Sequence, residues 1–233
     1  MGSACLFFAL EPRKAILGDI NTDLVRTFIT VRDHPQAVSH RLAEIPLGKR
    51  SYYATRKAKL DDLDSDAAAA HFIFLNRFCF NGLYRTNERG HFNVPYGSSG
   101  TGRLPDRKQL RVVSRSLQNC EIMHADFEDT LAMTRAGDFV YLDPPYAVEN
   151  RRVFRQYGPS SFGLEDLRRL GSALTSLDRK GVNFVLSYAY CREALENFRR
   201  WPQRKVYIQR NIAGFIRCRR MAAELLISNT LKD

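Results

Sequence analysis

Apolar positions along the chain alternate between a spacing of three to four and short continuous runs, which predicts helices alternating with buried strands. Small and apolar residues from Ser3 to Leu10 predict a helix that Pro12 ends. Lys14 to Leu17 is a short apolar run closed by Gly18-Asp19, the pattern of a buried strand ending in an acid. Leu24, Val25, Phe28, Ile29 and Val31 give a helical stripe over Thr22 to Arg32. The pattern stays mainly helical from about Pro35 to Arg77 and closes with a helix over Asp66 to Phe78. Further helices are predicted over Asp106 to Leu117, Glu128 to Met133 and Leu164 to Arg179, the last stopped at Gly181. Strands are predicted at Cys120 to His124, Phe139 to Leu142, Val182 to Leu186, Lys205 to Gln209 and Glu224 to Ile227.

The periodicity breaks between about Cys79 and Pro105, where Gly, Asn, Arg and aromatic residues crowd together and no long helix or strand is expected. Elsewhere three strands run into an acid: Asp19, Asp126 and Asp143. Strands alternating with helices predict an α/β fold with a doubly wound, mostly parallel sheet, whose ligands sit beyond the strand C-termini.

Composition narrows the partners. The 233 residues suffice for one α/β domain with an insert, and 44% hydrophobic with 26% charged residues is an ordinary globular balance. No apolar run is long enough to cross a bilayer. Met1 to Phe8 is apolar without the basic flank or cleavage signal of a secretory peptide, so a cytoplasmic protein is expected. The five cysteines are scattered with no C-x-x-C spacing, which predicts free thiols and no metal site. Lys and Arg number 36 against 25 Asp and Glu, a net charge of +11 that favours polyanionic partners.

The sharpest chemical feature is Phe139-Val140-Tyr141-Leu142-Asp143-Pro144-Pro145-Tyr146. A buried strand delivers a carboxylate, two prolines and an aromatic ring to one edge. An exocyclic amine on a nucleobase is a poor nucleophile because its lone pair is delocalised into the ring. Asp143 can accept one of its N–H groups and the Pro144 carbonyl the other, which aims the lone pair at an incoming methyl group. Pro144 and Pro145 hold the turn with φ restricted, and Tyr146 offers a face on which an extruded base stacks, worth roughly 1–3 kcal/mol. A base paired in a duplex cannot reach such a pocket, so base flipping is implied. The plain structural alternative is a turn in which Asp143 caps a loop and the prolines end the sheet.

Asp-Pro-Pro-Tyr after an apolar strand resembles the catalytic motif of amino-methyltransferases. Leu75-Asn76-Arg77-Phe78-Cys79-Phe80-Asn81-Gly82-Leu83-Tyr84-Arg85-Thr86-Asn87, followed by Gly90, Phe92-Asn93-Val94-Pro95 and Gly97, is similar to a segment of the Dam-type (alpha-group) DNA adenine-N6 methyltransferases. The resemblance covers almost the whole chain. It implies a Rossmann-like class I methyltransferase fold, S-adenosyl-L-methionine as cofactor and a flipped adenine in double-stranded DNA as substrate.

Position by position, the resemblance implies that Asp143, Pro144, Pro145 and Tyr146 are catalytic. It assigns the cofactor to Gly2, Ser3, Asp19, Asp126, Phe127 and Asp143, with Asp19 on the ribose hydroxyls and the Asp126-Phe127 pair on the adenine. Asp19 and Asp126 serve equally well as caps for the helices that follow them. Tyr84, Arg85 and Asn87 are expected near DNA, whereas Arg77 and Asn81 are expected to brace the loop; Ser187 ends a strand close to the catalytic pocket. Arg210, Arg217 and Arg219, with Arg220, resemble a basic loop on the nucleic-acid face. The expected organisation is residues 1–34 as the front of the methyltransferase domain with part of the cofactor loop, 35–105 as a mainly helical target-recognition insert, and 106–233 as the catalytic part.

Met1 to Phe8 resembles the tail of the family's cofactor loop and the start of its helix. The expectation is therefore a sheet without its first strand, the member between the strands ending at Asp19 and Asp143, in a chain whose true start lies upstream. The alternative is a decayed relative that binds DNA without catalysis. Cytosine N4 and RNA adenine also present an exocyclic amine and stay open as substrates; a protein-glutamine methyltransferase more often carries Asn where Asp143 stands. A cognate restriction endonuclease is left open as a partner, and a monomer is expected because nothing marks a dimer interface.

Overall fold

The computed structural model describes residues 1–87, 90–97, 103–146, 162–209 and 221–231. It divides into two compact units, Met1–Thr130 and Leu131–Asp233. Both are built from strands and helices, so the architecture is α/β as the alternation predicts. Among the described residues, no helix is long and apolar enough to cross a membrane.

The first unit opens with α1 (Cys5–Leu10) and β1 (Ala15–Asp19), followed by α2 (Thr22–Asp33), α3 (Pro35–Glu44), α4 (Lys49–Lys57) and α5 (Ser65–Phe78). After the irregular segment come α6 (Arg107–Leu117) and β2 (Cys120–His124). The strands form a parallel pair in register from Ala15 opposite Cys120 to Asp19 opposite His124. Helix starts follow the local chemistry. Asn21 accepts the Leu24 N–H at 3.1 Å, Asp64 accepts the Ala67 N–H at 2.8 Å, and Asp106 and Gln109 exchange bonds with each other's main chain. Phe7, Val25, Leu117, Cys120 and Ile122 form a core cluster joining α1, α2 and α6 to the two strands. A second core centres on Val38, Leu42, Tyr52, Phe74 and Leu75 of the helices and takes in Val94 from the irregular segment.

The short helix α7 (Phe127–Ala132) ends the first unit and begins the second, which continues with β3 (Phe139–Leu142), α8 (Leu164–Lys180), β4 (Asn183–Ala189), α9 (Arg192–Asn197), β5 (Gln203–Gln209) and β6 (Met221–Ser228). Its sheet runs in the order β3-β4-β6-β5, with β3 parallel to β4 and β6 antiparallel to both β4 and β5. Leu167, Leu170, Leu174 and Leu177 recur at helical spacing and bury one face of α8. Phe184, Leu186, Tyr188, Leu225 and Ile227 are buried on the strands. Asn229 closes the unit: its amide donates to Asp178 (3.0 Å) and the Val182 carbonyl (2.9 Å) and its oxygen accepts the Phe184 N–H (3.0 Å).

The described strands form one two-stranded and one four-stranded sheet, in keeping with the expected lack of the strand between those ending at Asp19 and Asp143. Phe139 and Tyr141 consequently remain 53% and 43% exposed on β3. Helix α9 was not anticipated: its six residues carry only two apolar positions, Ala194 and Leu195.

Gly18 lies where β1 meets α7. A Cβ there would fall 2.2 Å from Thr130 Oγ1 and 3.0 Å from Thr130 Cβ. Thr130 Oγ1 is itself bonded to the Asp126 carbonyl at 3.1 Å, which restricts its escape. Gly18→Ala is therefore expected to destabilise the protein by about 1–3 kcal/mol in denaturant unfolding, with part of the loss recovered by adding Thr130→Ala. An unchanged midpoint for the single variant would show that the strand is free to move away.

Candidate active site

In the first unit the acids lie at the C-terminal ends of neighbouring parallel strands. Asp19 ends β1, and Asp126 follows β2, with the Ala125 N–H donating to the Asp19 carbonyl at 3.1 Å. The Asp19 carboxylate accepts the Asn21 N–H on Oδ1 (2.9 Å) and the Gly2 N–H on Oδ2 (3.0 Å). The chain's amino terminus donates to the Gly18 carbonyl (2.9 Å) and lies 3.3 Å from Asp19 Oδ2. Gly2 has a left-handed backbone (φ 55°) with nothing within 4 Å of where a Cβ would be. Ser3 Oγ lies 3.2 Å from Cys5 Sγ, within the same turn. Asp126 Oδ1 accepts the Glu128 N–H (2.9 Å), which makes it the start of α7, and Phe127 is the first residue of that helix. Gly2, Asp19 and Asn21 are thus joined, and Asp126 and Phe127 lie at the end of the adjacent strand.

The second unit carries the Asp-Pro-Pro-Tyr turn. Asp143 follows β3 directly and is exposed; Pro144 and Tyr146 are half-buried. Tyr146 points back to the sheet, its hydroxyl donating to Glu224 Oε1 at 3.1 Å. Its ring meets buried Tyr188 edge-on, with centroids 5.0 Å apart and planes at 65°. Glu224, on β6, also accepts the hydroxyl of Ser187 on β4 at 3.3 Å. Tyr141 shares this neighbourhood: burial pushes its phenol up, the charge of Asp143 adds to that, and a hydrogen bond with Ser187 opposes it. Ser187 therefore lies beside the turn, within β4 rather than at its end. Glu224 was missed by sequence reasoning, although a carboxylate inside the apolar run Ala222 to Ile227 was a usable signal.

Residues 78–87 and 90–97 form the two legs of an irregular ribbon. The legs are held by Gly97 N–H to the Phe78 carbonyl (2.8 Å), Phe80 N–H to Pro95 (2.8 Å), Asn93 N–H to Arg85 (2.9 Å) and Asn87 N–H to His91 (2.8 Å). Asn81 and Gly82 both take left-handed backbones (φ 56° and 63°), which an Asn-Gly pair tolerates. Helix α4 clamps the ribbon, since the Tyr52 hydroxyl and the Arg56 guanidinium both donate to the Val94 carbonyl (2.9 and 3.0 Å). Arg77, on α5, donates to the Arg103 carbonyl (2.8 Å), beyond the ribbon.

Of the residues expected near DNA, Asn87 is exposed at the ribbon tip and its side chain accepts the His91 N–H at 3.0 Å. Arg85 is half-buried, with Nε bonded to Asn93 Oδ1 at 2.6 Å. Tyr84 sits between Phe72 and Phe92, 5.7 and 5.6 Å from their centroids, with its hydroxyl towards Asp23 and Asn21. Burial, reinforced by the charge of Asp23, pushes the Tyr84 phenol up to about 12. Arg210, Arg217, Arg219 and Arg220 lie outside the described residues.

An α/β fold with acids at the ends of parallel strands and an Asp-Pro-Pro-Tyr turn defines a methyltransferase acting on an amino group. A family model for D12 class N6 adenine-specific DNA methyltransferases matches residues 1–212, and the chain belongs to that family. It is 31% identical to the Type II methyltransferase M1.LlaDCHI of Lactococcus lactis subsp. cremoris over 98% of this chain and 84% of the relative. It is 35% identical to the Type II methyltransferase M.MjaIII of Methanocaldococcus jannaschii over 81% and 71%, and 27% identical to the DNA adenine methylase of Escherichia coli K12 over 97% and 83%.

Asp23 is also perturbed: burial first, then nearby Asp61, raise its carboxyl above the ordinary value, against Arg26 and the Tyr84 hydroxyl, which lower it. Tyr84→Phe keeps the ring and removes that donor. The expected loss is about 0.5–1.5 kcal/mol at neutral pH. Because the lost bond favours charged Asp23, the penalty should shrink as pH falls through the raised Asp23 pKa. A penalty independent of pH would detach the hydroxyl from Asp23.

Proposed function

We propose that this chain methylates the N6 amine of an adenine flipped out of duplex DNA, at a specific site, with S-adenosyl-L-methionine as methyl donor. The observation that carries the reading is the Asp143 turn itself: an exposed carboxylate directly after a parallel strand, with the neighbouring ring held back onto the sheet. Asp143 accepts one amino N–H and the Pro144 carbonyl the other, drawing the nitrogen towards a tetrahedral shape with its lone pair aimed outward. Pro145 keeps the turn in place, and Tyr146 supplies the face against which the adenine stacks. The proton released on methylation leaves by way of the acceptors already bonded to the amine, Asp143 first.

The residues present fit the proposed cofactor. Asp19 Oδ1 accepts one main-chain N–H and keeps a lone pair for a ribose hydroxyl, whereas Oδ2 accepts the Gly2 N–H and faces the amino terminus at 3.3 Å; the space beside Gly2 is open. Asp126 offers an acceptor to an adenine amine and Phe127 a ring to its face; Ser3 lies in the same turn as Gly2. When bound, the cofactor supplies an electrophilic methyl on a positively charged sulfur.

The target-recognition role falls to residues 35–105. In this reading Asn87 and Arg85 meet the DNA, while Tyr84 carries the ribbon leg that presents them. Arg210, Arg217 and Arg219 would hold phosphates, in keeping with the net charge of +11. The protein acts as a monomer in the cytoplasm, and the names of two relatives as Type II methyltransferases favour a cognate restriction endonuclease as its partner in the cell.

Labelled-methyl transfer to duplex DNA tests the reading, with N6-methyladenine identified among the digested nucleosides. Asp143→Ala is expected to lose at least roughly 100-fold in rate. Parent-like activity in that variant, or a methylated cytosine as product, would overturn it. Asp19→Ala is expected to weaken cofactor binding by about tenfold or more in calorimetry, the scale of hydrogen bonds to a charged group. Unchanged affinity would remove Asp19 from the cofactor site.

A further inference from the structure

We infer that Glu224 is a positioning residue for the methyl transfer, acting through the Tyr146 hydroxyl to hold the plane of the ring against which the target base stacks. The inference rests on the reading of the Asp143 turn as catalytic. Glu224 is 8% exposed in the middle of β6, between Ala222-Ala223 and Leu225-Leu226-Ile227. A carboxylate in such a run is expensive, because an ionised group taken out of water loses several kcal/mol of solvation unless hydrogen bonds replace it. An apolar residue would fit the strand more easily, so the acid calls for a reason.

The reason lies in what the two oxygens hold. Oε1 accepts the Tyr146 hydroxyl and Oε2 accepts the hydroxyl of Ser187, which is itself 5% exposed. Ladder pairing sets the spacing: Ala189 of β4 faces Glu224, and Ser187 faces Leu226 two residues on, so the serine reaches the carboxylate diagonally along one face of the sheet. The serine orients the carboxylate and the carboxylate orients the tyrosine. Tyr146 is then held at three places: its backbone follows the rigid Pro145, its edge rests on Tyr188, and its oxygen is tied to β6. A tyrosine held only at its backbone turns about two torsions, and a turned ring presents its edge to the base instead of its face. Glu224 does not touch the reacting atoms in this account; it removes a rotation.

A double-variant cycle separates this role from general support of the fold. Glu224→Gln keeps the shape and removes the charge, and Tyr146→Phe keeps the ring and removes the hydroxyl. Each is expected to lower kcat about tenfold with KM for DNA changed less than about twofold, and the double variant to be no slower than the slower single. Ser187→Ala should give a smaller loss in the same direction. An effect that multiplies to about a hundredfold in the double variant, or a Glu224→Gln chain with parental kcat, would overturn the proposal. The same four proteins are compared by thermal unfolding, which needs no activity. Non-additive shifts in Tm are expected for the pair, and additive shifts would sever Glu224 from Tyr146. Absence of methyl transfer by the parent would sink the proposed function, while the unfolding cycle would still decide whether the contact exists.

Discussion

Parallel pairing of strands is the constraint from which the candidate site follows. Parallel neighbours end on the same side of their sheet, so whatever residues follow their last hydrogen bonds are gathered at one edge. Asp19 ends β1 opposite His124 of β2, which brings Asp126 to the same edge. In the second unit Leu142 ends β3 opposite Leu186 of β4, so Asp143 and Ser187 both follow at that edge. Main-chain hydrogen bonding alone thus sets the neighbours of each carboxylate before any side chain makes a choice.

In the proposed reaction the turn after β3 needs rigidity, because an amine made reactive by two acceptors depends on where those acceptors stand. Pro144 and Pro145 restrict the main chain, but they do nothing for the ring of Tyr146. The sheet supplies that second restraint through its antiparallel half. Strand β6 returns beside β4 and carries Glu224 under the tyrosine, so a residue 78 positions later in the chain completes the geometry begun at Asp143. A strand otherwise made of Ala, Leu and Ile tolerates the acid because hydroxyl groups meet its oxygens.

The ribbon of residues 78–87 and 90–97 solves a different problem, that of holding an irregular chain without a sheet to join. Its legs bond to each other, helix α4 clamps the Val94 carbonyl, and Tyr84 is wedged between Phe72 and Phe92. Packing on one side and exposure at Asn87 on the other divide the labour within one segment. Aromatic residues anchor, and polar ones near the tip are left at the surface.

Periodicity alone determined most of the elements: the apolar stripes of α2, α5, α6 and α8 and the short runs of the strands lie within a few residues of their structural positions. The strand-end acids and the Asp-Pro-Pro-Tyr turn were equally legible, because their chemistry is carried by neighbours in sequence. Helix α9 was not, since its six residues carry only two apolar positions, Ala194 and Leu195. Nor were the wedging of Tyr84 or the bond from Tyr146 to Glu224. Each of these depends on residues far apart in the chain whose distance is set by ladder register and packing. Local sequence encodes what a residue can do, and only the folded chain decides which distant partner it meets.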